Sequence, residues 1–161
     1  MIRQLSLTEI DDLLRKQIVG RIGCYYQKEV YIIPMSYAYD GEYFYCHSYE
    51  GKKMEMMRKN PKVCFQVDEM KDMGNWKSVI AWGDFEELVD EKERNNALKI
   101  LLKRQLPFIS SITTHLGDAW PFSSATTDEL DKIPGIVFRI FINKKTGKLE
   151  ATSESPLLMF N

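Results

Sequence analysis

Histidine and cysteine are scarce in this chain: two histidines and three cysteines, none of them paired at metal-ligand spacing. A structural zinc site, which takes four such ligands at paired spacings, finds no support. Cys24, Cys46 and Cys64 are odd in number and lie in apolar segments without a C-x-x-C pair, so they read as reduced, buried small hydrophobes. An excess of positive charge is also missing. With 22 Lys and Arg against 23 Asp and Glu, the net charge of -1 leaves no footprint for nucleic acid. No apolar run has the length of a membrane span, and the first sixteen residues, interrupted by Asp11 and Asp12, lack the apolar stretch of a secretion signal. A cytoplasmic protein is expected. G-x-S-x-G, H-E-x-x-H, the Walker phosphate loop and G-x-G-x-x-G are all absent. The acidic pairs Asp11-Asp12 and Glu86-Glu87 read as solvated charge.

What is present suits one domain over residues 1–161, with 44% hydrophobic content to build its core. Ser6-Leu7-Thr8-Glu9 has the form of a capping box, and Ile10, Leu13, Leu14 and Ile18 continue a helical spacing until Gly20. Two β-rich runs follow, RIGCYYQ and VYIIPMSYAY, separated by Lys28-Glu29 as a hairpin turn. Asp40-Gly41 predicts a type I′ turn into a strand over 42–47. A helix is expected over 52–59, closed by Asn60-Pro61. Strands follow over 63–67 and 78–87, with Gly83 as a bulge and 68–77 as a polar connection. Asp90 with Glu93 starts another helix. A final strand over 135–143 leads to a turn at 144–147, and 150–161 reads as a tail. About six strands joined mostly by hairpins predict a mainly β fold, a small antiparallel barrel with flanking helices and a core over about 18–143.

The chemistry concentrates between Val30 and Lys53. Pro34 cannot donate to a ladder and so marks an edge or bulge, with Pro34, Ser36 and Ala38 on one strand face and Ile33, Met35, Tyr37 and Tyr39 on the other. Alone, it describes an ordinary edge strand. Lys52 and Lys53 sit in the first turn of a helix, where cations oppose the macrodipole by about 0.3–1 kcal/mol each, a sign that a bound anion would reverse. The plainer alternative is two solvated lysines with Glu50 offsetting part of their charge. His47 and Ser48, ending the preceding strand, could add hydrogen bonds to the same phosphate, although a lone histidine is more often structural. Trp76 and Ser78 could bring an indole and a hydroxyl toward the same place. His115 and the Trp120-Pro121-Phe122 cluster are weaker candidates.

The ordered series Pro34-x-Ser36-Tyr37, Asp40-Gly41, His47-Ser48, Gly51-Lys52-Lys53, Asn60-Pro61, VCFQVD over 63–68, Trp76-Lys77-Ser78-Val79 and Gly83 resembles the pyridoxamine 5′-phosphate oxidase-like flavin-binding split barrels. Within them it looks most like the branch that includes the 5-nitroimidazole resistance (Nim) proteins. The resemblance covers residues 18–106, and Thr146-Gly147-Lys148 also fits. It implies a homodimer of six-stranded antiparallel split β-barrels with FMN, or FAD in its place, at the subunit interface. The backbone around Pro34, Met35 and Ser36 would face the flavin ring, with His47, Ser48, Lys52 and Lys53 at the phosphate and Trp76 and Ser78 completing the pocket. The oxidases proper carry Arg-Lys where this chain has Lys52-Lys53, and C-terminal basic residues without an equivalent here, so vitamin B6 oxidation is not expected. The implied activity is an FMN-dependent oxidoreductase, with NAD(P)H as electron donor and a small acceptor such as a nitroimidazole. No catalytic acid is assigned, and His47 is the first to test. Two alternatives are a flavin-storage module without turnover and a haem-binding split barrel with His47 or His115 on the iron.

Overall fold

The computed structural model describes residues 1–104 and 126–152. Its elements are β1 (Ile2–Gln4), α1 (Leu7–Lys16), β2 (Val19–Tyr26), β3 (Glu29–Tyr39), β4 (Tyr43–Ser48), α2 (Lys52–Lys59), β5 (Lys62–Asp72), β6 (Asn75–Glu87), α3 (Glu91–Leu102), α4 (Thr127–Asp131) and β7 (Ile136–Glu150). The strands lie in the order β1-β7-β4-β3-β2-β5-β6, and β6 pairs again with β7. That last pairing closes six strands into an antiparallel ring, as a small barrel requires, with β1 added on the outside of β7. The split-barrel expectation holds.

Local chemistry explains most of the boundaries. Ser6 caps α1 by accepting from the Glu9 N–H while the Glu9 carboxylate accepts from the Ser6 N–H, and Asp90 caps α3 through the Glu93 N–H. The helix stops at Lys16, short of Ile18, because Ile18 already joins the sheet: its carbonyl accepts from the Tyr37 N–H at 3.0 Å. The β2–β3 turn is Gln27-Lys28, one residue earlier than expected, and both residues take the positive φ that a two-residue primed turn requires (48° and 66°). The next turn is not type I′. Gly41 alone has positive φ (109°), and Asp40 acts through its carboxylate, accepting from the N–H groups of Glu42 and Tyr43 at 2.9 and 2.8 Å.

Two further corrections share one cause. Residues 68–77 form no polar connection but the outer halves of β5 and β6, joined by a tight turn in which Asp72 Oδ1 accepts from the Gly74 N–H at 2.9 Å. Residues 144–147 are likewise strand, paired along β6 from Trp82 to Val79. In both, the apolar alternation of a half-buried strand is missing: 68–77 run beyond the core, and at 144–147 the inward places opposite Ala81 and Val79 are held by Lys145 and Gly147. The expected bulge does sit at Gly83: the register jumps from Trp82 opposite Lys144 to Gly83 opposite Ile142, leaving Asn143 of β7 as the extra residue. Glu150 to Thr152 continue from this sheet, and the remainder of the proposed tail lies outside the described residues.

The interior is filled by inward residues of the ring, among them Ile22, Met35, Tyr37, Phe44, Phe65, Val67, Val79 and Phe138, with Leu13 and Leu14 of α1 and Met54, Met56 and Met57 of α2. Tyr37 meets Phe44 and Phe65 edge-on, and its hydroxyl donates to the Leu14 carbonyl at 2.8 Å. A second cluster lies outside the ring, where Ala38, Tyr45 and Val137 receive Ala97, Leu98, Leu101 and Leu102 of α3 and Leu130 of α4.

Gly83 tests the closure. A β-carbon there would lie 2.2 Å from the Phe141 carbonyl oxygen and 2.7 Å from Ile140 Cγ2. Gly83→Ala is expected to lower unfolding stability by about 1–3 kcal/mol in a urea titration, as overpacking against backbone does.

Candidate functional site

β3 pairs with β2 from Glu29 to Tyr26 at one end through Ser36 opposite Val19 at the other, but with β4 only over Tyr37–Tyr39. From Glu29 to Ser36 its other edge therefore has no strand beside it among the described residues. His47 and Ser48 of β4 stay paired with Val137 and Ile136 of β7. The ring is thus slit between β3 and β4, and α2 starts at the slit. Pro34, exposed in the middle of this edge, is tolerated because one fewer ladder donor costs nothing where no partner strand exists.

Around the slit the two lysines part company. Lys52 is exposed, paired with Glu29 and seated over the Tyr31 ring 5.2 Å from its centroid. Lys53 is half-buried and has no carboxylate or hydrogen-bond partner among the described residues. Burial pushes its ammonium below the usual lysine range. Gly51, the cap of α2, carries no side-chain hydrogen bond, and a β-carbon there would meet nothing within 4 Å. The first amides of α2 are thereby open to a ligand.

At the closed end of the slit stands a residue that the sequence reading missed. Arg104 donates from Nη1 to Ser36 Oγ at 2.6 Å and to the Tyr37 carbonyl at 3.1 Å, and from Nε to the Leu101 carbonyl at 2.8 Å. Burial pushes its guanidinium down to about 10. The only signal in the sequence was a cation directly after the apolar end of α3, the ordinary place for one.

The other anticipated residues are spread more widely. Met35 points into the core and offers only its backbone. His47 is buried, its Nε2–H donating to the Pro134 carbonyl at 2.6 Å, and Ser48 Oγ donates to the Tyr49 carbonyl at 3.0 Å. Trp76 Nε1 donates to Glu150 at 2.9 Å at the far end of β6. Ser78 accepts from Gln66 Nε2 at 3.2 Å on the outer sheet face, separated from β3 by β5 and β2. The structure therefore joins Ser36 to Arg104 on the edge that carries Pro34, with Lys53 in the first turn of α2, and leaves Trp76 and Ser78 apart from that edge. His115 and the Trp120 cluster lie outside the described residues.

That outer face is apolar. Val30 and Ile32 are each 66% exposed, Tyr25 49% and Trp82 40%, around a groove of about 610 Å³ that Gly23 and Cys64 also line. No helix covers it among the described residues. Patches of this kind mark surfaces that meet another molecule.

The profile of a family described as pyridoxamine 5′-phosphate oxidase matches residues 6–117. An uncharacterized protein of Rhizobium meliloti is 34% identical over 107 residues, 64% of this chain and 71% of the relative. A FAD-binding protein from Mesorhizobium loti superposes with a TM-score of 0.69 at 31% identity, covering 94% of this chain and 98% of its own. A candidate 5-nitroimidazole antibiotic resistance protein from Bacteroides thetaiotaomicron shares the fold, with a TM-score of 0.66 at 19% identity over 92% of this chain and 89% of its own. By the extent of the profile match and the identity of these relatives, the chain belongs to the pyridoxamine 5′-phosphate oxidase family.

Proposed function

We propose that this protein binds FMN in the slit between β3 and β4 and works as a flavin-dependent oxidoreductase, taking electrons from NAD(P)H and passing them to a small acceptor such as a nitroimidazole. The observation that carries the reading is Lys53: a half-buried cation in the first turn of α2, with no carboxylate partner among the described residues, on a helix whose start is tied through Lys52 to Glu29 and Tyr31 of the unpaired strand edge. A phosphate there meets the ammonium, the Gly51 end of α2 and the helix dipole together. The free backbone groups of β3 between Ile33 and Ser36 then face the ring system, whose hydrogen-bonding edge they can satisfy. When bound, the flavin supplies the redox chemistry, and the protein's part is to hold and orient it. The FAD-binding relative from M. loti supports a flavin. His47 is engaged with the Pro134 carbonyl, which favours a structural role over iron ligation.

We also propose a homodimer formed through the apolar face of Tyr25, Val30, Ile32 and Trp82. Such pairing would shield that face and carry one subunit's Ser78 and Gln66 toward its partner's slit. With Cys24, Cys46 and Cys64 all unpaired, a reducing, cytoplasmic setting suits the chain.

Lys53→Ala should weaken FMN binding by roughly tenfold or more, the scale of one charge-assisted hydrogen bond, while riboflavin, lacking the phosphate, loses less than about threefold. Fluorescence quenching titrations of both ligands decide this, and equal losses would remove Lys53 from the phosphate. Because the clamp is lost as pH rises through the lowered pKa of Lys53, FMN affinity should begin to fall at a lower pH than an ordinary lysine would give. Saturating FMN at 100-fold its dissociation constant should add about 2.7 kcal/mol to stability, and no thermal shift would refute the flavin reading. For the dimer, Ile32→Glu should yield monomers in sedimentation and weaken FMN binding with them; a monomeric wild type would refute that arrangement.

A further inference from the structure

We propose that Arg104 is a positioning residue for electron transfer: its guanidinium, held at the closed end of the slit, stabilises the negative charge that a bound flavin ring acquires on reduction. The proposal rests on the flavin reading above and adds the residue that sets how readily the ring is reduced.

The slit has two ends. Lys52, tied to Glu29 and Tyr31, places the start of α2 at the outer end of the free edge, and Arg104 grips Ser36 and Tyr37 at the inner end. Six strand residues, about 20 Å, separate Tyr31 from Tyr37. A phosphate at α2 therefore directs the rest of the molecule along the edge toward Arg104. Among the described residues the guanidinium meets three acceptors, two carbonyls and a hydroxyl, all of them neutral, and no carboxylate. It also borders a cleft of about 700 Å³ whose described lining includes Arg15, Lys16 and Lys103 and no acidic residue, with Lys16 paired to Glu69 and Arg15 over the Tyr39 ring.

On reduction two electrons and one proton enter the oxidised ring, arriving together as a hydride from a reduced nicotinamide. The proton stays at N5, and the extra negative charge rests over N1 and the adjacent carbonyl. A fixed cation beside that region favours the reduced form over the oxidised one without moving during the reaction.

The test is the midpoint potential of FMN-loaded wild type, Arg104→Gln and Arg104→Lys, measured by dye-coupled reductive titration alongside the affinity for oxidised FMN. Arg104→Gln should bind oxidised FMN within about threefold of wild type yet lose at least tenfold of its preference for the reduced form, a fall of about 30 mV for a two-electron couple. Arg104→Lys, which keeps the charge, should recover more than half of that fall. A loaded Arg104→Gln protein with an unchanged potential would make Arg104 a purely structural tie and overturn the proposal, while the flavin reading stands. A wild type that binds no FMN would overturn both. A measurement on wild type alone holds even where Arg104→Gln does not fold. Sulfite adds to N5 and leaves its charge over N1 as reduction does, so the loaded protein should bind sulfite at least about tenfold more tightly than free FMN does. Binding no tighter than free FMN would overturn the proposal.

Discussion

Among the described residues, the third strand has a neighbour on one side only from Glu29 to Ser36, inside a ring that is otherwise closed. An open edge presents backbone donors and acceptors that must find water or a ligand, and on a flat sheet it would invite another chain. Here it lies in a slit, next to a helix start and under a partly buried guanidinium. Pro34 removes one donor from it, and the outward side chains Pro34 and Ser36 are too small to block approach. The placement of Lys53 and Arg104 follows from this gap. Each would be costly against a fully paired sheet, because a desolvated cation needs a partner. The gap is where such a partner can be supplied from outside.

Much of the fold was legible where a residue type has a single local use. Ser6 with Glu9 and Asp90 with Glu93 announced helix starts, Asn60-Pro61 ended α2, and Gly83 marked the register jump. The failures come from places where local signals go quiet. Residues 68–72 and 75–77 are strand with little core to face, and at 145 and 147, opposite buried Ala81 and Val79, the inward places are held by Lys145 and Gly147 rather than by apolar side chains, so no apolar alternation shows. They are held by pairing with one another and by single side-chain ties, such as Lys144 over the Trp82 ring and Lys145 on Asp11 and the Tyr39 hydroxyl. β1 is three exposed residues whose only reason to be extended is the end of β7.

The candidate site was legible in part for the same reason. Two lysines in a first helical turn oppose the dipole wherever they occur, and that much is visible in sequence. Which of them meets the slit is not. Neighbours on a helix diverge by about 100°, so Lys52 swings out to Glu29 and Tyr31 while Lys53 is turned inward and half-buried. Arg104 is 68 residues from Ser36 in the chain and belongs to no motif. Its role appears only when α3 packs on the outside of the ring. Ser78 has the reverse history: a strand residue with plausible chemistry that ring closure carries to the outer face.

A fold can keep an unpaired edge, and two cations without a carboxylate partner among the described residues, only if its stability comes from elsewhere. β6 and β7 pair from Trp76 to Glu87 along the side of the ring away from the slit, and β5 continues that sheet through β6. The densest aromatic packing, Phe44 stacked on Phe65 at 4.5 Å with Tyr37 edge-on to both, lies just inside the point where β3 and β4 separate. The strands are pinned at that point, so the gap beyond it does not propagate into the barrel. Rigidity at the root of the slit also fixes Ser36 and Tyr37, and through them Arg104. The same packing that permits the opening therefore sets the position of the charge at its inner end.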